Sequence, residues 1–185
     1  MHLNLFRADS KNALEQLRSG VADMAIYSSV PSKIKEDPGE LLYQEELVMA
    51  VPFSGNGEPE KEAGRENIID SNQLSASSLI IPVEDSHMGK LLYPLLRSYY
   101  VNLEDCYTAD SYSGISLLFQ NGYGSAFLPS RLLAREKTKS YKIYHADPPM
   151  RYDLRFMAGE RLKKEKVAAD MLCLIRKQIQ SSEEN

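Results

Sequence analysis

Leu14-Glu15-Gln16-Leu17-Arg18-Ser19-Gly20-Val21-Ala22-Asp23-Met24-Ala25-Ile26 holds the change of rhythm on which the fold turns. Ala13, Leu14 and Leu17 form an apolar stripe at helical spacing, and Asp9 or Ser10 stands where a helix N-cap belongs. Gly20 fits the left-handed position that closes a helix. Met24 to Tyr27 then reads as a buried strand. Upstream, Leu3 and Leu5 alternate with polar neighbours before Phe6, which predicts a short strand. Strand, helix and strand in that order favour a right-handed parallel crossover.

The same rhythm runs outward along the chain. Ser28 to Glu40, with two prolines and a glycine, reads as loop. Leu41 to Val51 is a long extended stretch stopped by Pro52, and Phe53 to Glu66, rich in Gly and charge, reads as a surface connection. Leu79 to Ile81 is an apolar strand ended by Pro82. Met88, Leu91, Leu92, Leu95, Leu96 and Tyr99 keep helical spacing for three turns. A strand at Cys106 to Ala109 follows, then a helix capped by Asp110 or Ser111, carrying Ile115, Leu118 and Phe119, and ending at Gly122. Ala126 to Leu128 is a strand closed by Pro129, and Arg131 to Glu136 a short helix. Tyr141 to Tyr144 is extended. Tyr152, Leu154, Phe156 and Ala158 alternate as a strand with one exposed face. Ala168, Met171, Leu172, Ile175 and Ile179 mark a closing helix, and Ser181 to Asn185 should fray.

Strands alternating with helices make this an α/β protein. The late strand and helix have no place in the second half and are expected to return to the first. Two lobes result, 1–52 with 146–185 and 53–145, joined by two crossings, with a cleft as the default ligand site. At 185 residues and 43% apolar content the chain can build such cores without disulfides or metals. The net charge of −4 gives no electrostatic footprint for gripping nucleic-acid phosphates. Neither a targeting segment nor a membrane-length apolar run is visible, so the expected compartment is the cytoplasm and no membrane partner is expected.

Three further stretches join Leu14–Ile26: Leu47-Val48-Met49-Ala50-Val51-Pro52, Asn121-Gly122-Tyr123-Gly124-Ser125-Ala126-Phe127-Leu128-Pro129, and Arg151 to Glu160 with the closing helix. In this order they resemble the regulatory domain of LysR-type transcriptional regulators, whose patterns read L..L..G..D.AI, LVLVVP and aGlGia.lP. The resemblance covers nearly the whole chain. It implies the type 2 periplasmic-binding architecture, an effector held between lobes, and a homodimer or tetramer that moves DNA-binding heads. The family's winged helix-turn-helix and linker helix are not in this sequence, so DNA binding is expected only through a domain outside this chain. The family domain also opens with a strand and a helix ahead of the strand that matches Leu3–Phe6. The first lobe is therefore expected to be incomplete, and to close by rearrangement or by pairing with a second chain.

In open α/β sheets, ligands sit at strand carboxyl ends and helix amino ends. That rule selects Ser28 and Ser29, then Ser86, His87 and Met88, then Ser111 and Tyr112, with Tyr123 added from the Gly122–Gly124 turn. Each has a plainer alternative: serines as turn or cap residues, His87 as a surface imidazole, and any one of eleven tyrosines as core or interface. Free N–H groups at helix starts favour an anionic small molecule. No cofactor or metal is expected, since His2, His87 and His145 show no ligand spacing. Asp85, Ser86 and His87 are contiguous, whereas a catalytic triad is assembled in space, and no GxxxxGK phosphate loop occurs. Cys173 is expected as a small buried hydrophobe, and Cys106, beside Glu104 and Asp105, as an unreactive thiol. Arg161, Lys163, Lys164 and Lys166 read as a solvated face with Glu160 and Glu165. The functional expectation is an effector sensor, with a free-standing solute-binding protein or a small two-lobed enzyme as alternatives.

Overall fold

The computed structural model describes residues 3–30, 37–52, 67–75, 78–134, 141–162 and 164–181. In chain order the elements are α1 (Ser10–Arg18), β1 (Met24–Ser29), β2 (Glu40–Pro52), α2 (Ser71–Ser75), β3 (Leu79–Pro82), α3 (His87–Ser98), β4 (Tyr107–Ala109), α4 (Tyr112–Gln120), β5 (Ser125–Pro129), α5 (Ser130–Ala134), β6 (Tyr141–Tyr144), β7 (Arg151–Ala158) and α6 (Lys166–Ser181). The Phe53–Glu66 connection lies outside the described residues. So do 31–36 of the first loop, the last residues of the Arg131–Glu136 helix, Lys163 and the tail beyond Ser181.

Two compact units emerge, Met1–Gln44 with Asp153–Asn185, and Glu45–Tyr152. The backbone passes between them twice, within β2 and within β7. The expected boundaries lay at 52/53 and 145/146, where proline or loop ends the extended runs. By contact the units divide inside the strands, because a crossing strand changes neighbours part-way along its length.

In the first unit the strand order is β1-β7-β2. β1 and β7 run antiparallel from Met24↔Ala158 to Ser29↔Asp153. Asp9 is the cap of α1, its carboxylate accepting from the Asn12 N–H at 2.9 Å, and Gly20 takes the left-handed φ of 75°. Leu17, Ala25, Tyr27, Phe156 and Ala168 are buried.

Three expectations are corrected in this unit. Leu3–Phe6 is not a strand, so the parallel crossover does not form; a strand needs partners for its backbone donors and acceptors, and no described strand flanks it. The second face of β7 is not solvent-exposed, because it carries Asp153 and Arg155 as a covered ion pair. Cys173 is exposed. It lies about 100° past Leu172 around the helix, off the stripe that α6 turns inward.

In the second unit the order is β2-β5-β3-β4, with β6 also on β2. β3 runs parallel to β4 and β5, and β2 antiparallel to β5 and β6. The period of two divides the core. Leu47, Met49, Leu79, Ile81 and Phe127 pack with Leu92 and Leu96 of α3. Val48, Ala50, Ile80, Ala126 and Leu128 pack with Ile115 and Phe119 of α4 and Leu133 of α5. A sheet covered on both faces requires near-continuous apolar strands, as Leu79–Pro82 and Ser125–Pro129 are. Among the described residues no helix is long and apolar enough to cross a membrane, and no group of three His, Cys, Asp or Glu is placed to hold a metal.

Candidate functional site

β3 and β4 are parallel neighbours in register from Ile80↔Tyr107 to Pro82↔Ala109, so their carboxyl ends lie side by side. The Val83 N–H donates to the Ala109 carbonyl at 3.1 Å and ties the two following loops together. α3 and α4 start from those loops. Ser86, His87, Met88, Ser111 and Tyr112 therefore gather at one edge of one sheet.

Both serines are helix caps. The Ser86 hydroxyl accepts from the Gly89 N–H at 2.9 Å and donates to the Val83 carbonyl at 2.6 Å. The Ser111 hydroxyl accepts from the Gly114 N–H at 3.2 Å. The Lys90 N–H reaches the Ser86 carbonyl at 3.1 Å, which leaves the His87 and Met88 amides of the first turn without a partner among the described residues. Such amides, aligned with the helix dipole, favour an anion by about 0.3–1 kcal/mol in an exposed setting. Gly89 makes the turn possible. A Cβ there would lie 2.2 Å from the Val83 carbonyl oxygen and 2.5 Å from that of Glu84.

Side chains line the same edge. Met88 is buried, and the Tyr112 hydroxyl meets its Sδ. That hydroxyl also lies 3.0 Å from the Tyr152 hydroxyl. A hollow of about 340 Å³ runs from Tyr112 and Ser113 along α4 to Gln120 and Leu132. His87 Nε2 is buried without a hydrogen-bond partner among the described residues. Burial first, and the nearby Lys90 charge second, hold this imidazole below its usual 6.5. In the unfolded chain the same imidazole takes up its proton at higher pH, so lowering the pH favours unfolding. The His87 contribution to stability is full above about 6.5 and declines as the pH falls through the lower folded value. Thermal melts across pH 7.5 to about 5 should show this decline, and His87→Gln should flatten it; equal slopes in both proteins would remove His87 as the cause.

Ser28 and Ser29 stand at the carboxyl end of β1 in the first unit. The Ser28 hydroxyl lies 2.9 Å from that of Ser10, and its N–H donates to Ser10 Oγ at 3.0 Å. Ser29 hydrogen-bonds the Asp37 carboxylate. Tyr123 is not with Ser86, His87, Met88, Ser111 and Tyr112 of its own unit. It precedes β5 and meets Tyr107, the first residue of β4, edge to face at 5.6 Å. Since β3, β4 and β5 are parallel, that pair marks their amino end, opposite the edge where α3 and α4 begin. The carboxyl-end rule selects loops that follow strands, and the Gly122–Gly124 turn leads into one. Cys106, near the same amino end, has its thiol pushed up by burial and then by Asp105.

The sequence reading missed Tyr152, which it took only as an alternating strand residue. Nothing local links positions 112 and 152. It also missed a covered polar network in the first unit. Arg155 donates to Asp153 Oδ2 and to the Gly39 carbonyl, both at 2.7 Å, and Gln44 Nε2 donates to Asp153 Oδ1 at 3.3 Å. The Tyr27 hydroxyl donates to Asp37. Burial pushes the Asp37 carboxyl up, but hydrogen bonds from Tyr27, Gly39 and Ser29 and the Arg155 charge outweigh it and hold the group below its ordinary value. Burial, and then that bond to the Asp37 carboxylate, raise the Tyr27 hydroxyl well above its own. Opposite charges two residues apart on a strand were the available signal.

Comparisons with known proteins agree on one architecture. A family model described as the LysR substrate binding domain matches residues 1–164. No curated protein sequence matches. Among solved structures, the regulatory domain of HypT from Salmonella typhimurium in its apo form is similar at 18% identity and a TM-score of 0.64, covering 95% of this chain and 80% of that one. The CcmR regulatory domain of Synechocystis PCC6803, solved in complex with 2-PG, is 16% identical with a TM-score of 0.63, covering 91% and 78%. A Corynebacterium glutamicum OxyR C206 mutant is 18% identical with a TM-score of 0.60; the match spans 95% of this chain and 54% of that one. At such identities the likeness is one of fold, and the family rests on the model spanning most of the sequence. With its two α/β units and two strand crossings, the chain belongs to the LysR substrate binding domain family and has its type 2 periplasmic-binding fold.

Proposed function

We propose that this chain is the effector-sensing domain of a LysR-type transcriptional regulator, and that it takes a small anionic molecule. The observation that carries the reading is the pair of capped helix starts at neighbouring parallel strand ends, with the His87 and Met88 amides unclaimed. The ligand would be held by those amides, His87, Ser111 and Tyr112 of the second unit. Two relatives were solved with bound species, CcmR with 2-PG and HypT with a bromide ion. Binding would favour one conformation of a homodimer or tetramer, and a DNA-binding domain outside this chain would carry the response. A tenfold preference for one state supplies about 1.4 kcal/mol for such a switch.

A thermal-shift screen of carboxylates, phospho-acids and sulfonates tests this. At a hundred times its Kd a ligand stabilises by about 2.7 kcal/mol, which raises the midpoint of a chain this size by roughly 5–10 °C. Tyr112→Phe and His87→Gln should shrink the ligand-induced shift while leaving the unliganded midpoint within a few degrees. A screen in which only cations or neutral molecules raise the midpoint would sink the anion reading. A hit unaffected by both substitutions would move the site elsewhere.

A further inference from the structure

At the amino end of the parallel strands, the second unit carries a hollow of about 440 Å³ that the effector reading leaves unused. Its floor is apolar: Leu74 of α2 and Leu79, the first residue of β3, are buried, and Cys106 is half-buried. Tyr100 and Asp105 stand on its rim. The chain turns at Tyr100 with a left-handed φ of 55°, a conformation that a bulky residue takes only at a cost. The turn is held at the end of α3, where the Tyr100 N–H donates to the Arg97 carbonyl at 3.1 Å and the Val101 N–H to the Leu96 carbonyl at 3.0 Å. It leaves Tyr100 94% exposed beside the hollow. The electrostatics have one sign. Among the described residues no lysine or arginine lines the space, and Asp105 is its charged group. Asn102 Nδ2 donates to Asp105 Oδ2 at 2.8 Å, which fixes the carboxylate and leaves Oδ1 without a hydrogen-bond partner among the described residues. Tyr99, the C-cap of α3, lines the same hollow, so the negative end of that helix dipole meets it.

We propose that this hollow is a second small-molecule site, and that it takes an organic ammonium, with the protonated amine at Asp105 and a flat apolar body between Tyr100 and the Leu74–Leu79 floor. An exposed ion pair alone contributes little. Here the attraction of a tyrosine face for a cation and the burial of the apolar body add to it. The volume suits a ring with a short side chain. An anion is repelled by Asp105 and by the end of α3, so the selectivity is opposite in sign to that proposed for the edge where α3 begins. The two sites lie at the two ends of one helix and share no residue. Either can fail without the other.

The test titrates the isotope-labelled full chain with 2-phenylethylamine near neutral pH and follows the backbone amides by NMR. 2-Phenylethanol serves as the neutral counterpart and phenylacetate as the anionic one. The amine should move the amides of residues 99–106 saturably, with roughly millimolar affinity. The alcohol should bind about fivefold or more weakly, and phenylacetate should leave these amides in place. Asp105→Asn should weaken the amine by about fivefold and leave the alcohol unchanged. Cys106 supplies an independent readout, since it lies on the floor of the hollow. In a Cys173→Ser chain, amine at ten times its Kd should slow the reaction of Cys106 with iodoacetamide by about tenfold, the share of unoccupied sites. Amine and alcohol binding alike overturns the proposal. So does an Asp105→Asn protein that keeps the parent's affinity for the amine, or a Cys106 that reacts as fast with the amine bound. Amine shifts confined to residues outside the hollow overturn it as well. If Asp105→Asn does not fold, the comparison of amine with alcohol on the parent chain decides.

Discussion

Gly89→Ala should lower stability by about 1–3 kcal/mol and abolish the ligand-induced thermal shift. Alanine is ordinarily preferred to glycine in a helix by about 1 kcal/mol, so propensity alone predicts the opposite sign. The contacts decide the outcome. The new Cβ would meet the Val83 and Glu84 carbonyl oxygens at 2.2 and 2.5 Å and the Glu84 carbonyl carbon at 2.8 Å. All three are backbone atoms, and no flexible side chain can swing aside. The 83–86 loop must move, and with it the Ser86 cap and the Val83 hydrogen bond to Ala109. For a chain of this length the loss corresponds to a drop in midpoint of roughly 3–10 °C. A variant melting like the parent, with the same response to ligand, would show that the loop does not hold the site together.

Arg155→Ala should be the most damaging single change in the first unit, at about 3–5 kcal/mol. Its guanidinium faces Asp153, whose side chain is only 6% exposed, and it also holds the Gly39 carbonyl. Removing the cation leaves a buried carboxylate with the 3.3 Å hydrogen bond from Gln44 as its remaining one among the described residues. Desolvation of that unpaired charge, more than the lost attraction, sets the magnitude. The double variant Arg155→Met/Asp153→Leu should therefore cost less than Arg155→Ala alone. Urea denaturation followed by circular dichroism measures both, and a single variant within about 1 kcal/mol of the parent would contradict the reading.

Much of the architecture was legible because its signals are short-range. Asp9 and Ser111 cap their helices, Gly20 and Gly122 sit at positive φ, and prolines stand at the ends of β2, β3 and β5, all through contacts within a few residues. Most of the candidate site was legible for a related reason. A loop after one parallel strand must lie beside the loop after the next, which brought Ser86–Met88 to Ser111 and Tyr112. Tyr123 lies at the other end because its turn leads into β5, which runs parallel to β3, and does not follow a strand. The stripe of α6 was correctly located, yet how deeply it is covered depends on its neighbours, and only Ala168 is buried.

From its sequence alone this protein's helices, strands, caps and family membership could be read, since each depends on spacing and on hydrogen bonds between near neighbours. Tertiary structure alone decided that Leu3–Phe6 finds no strand partner among the described residues, that Arg155, paired with Asp153, reaches the Asp37 and Gly39 carbonyls, and that Tyr152 meets Tyr112. These are pairings between residues some 40 to 118 positions apart. No local spacing encodes them; they follow from which strand each backbone donor and acceptor finds, and that is settled only when the whole sheet is assembled.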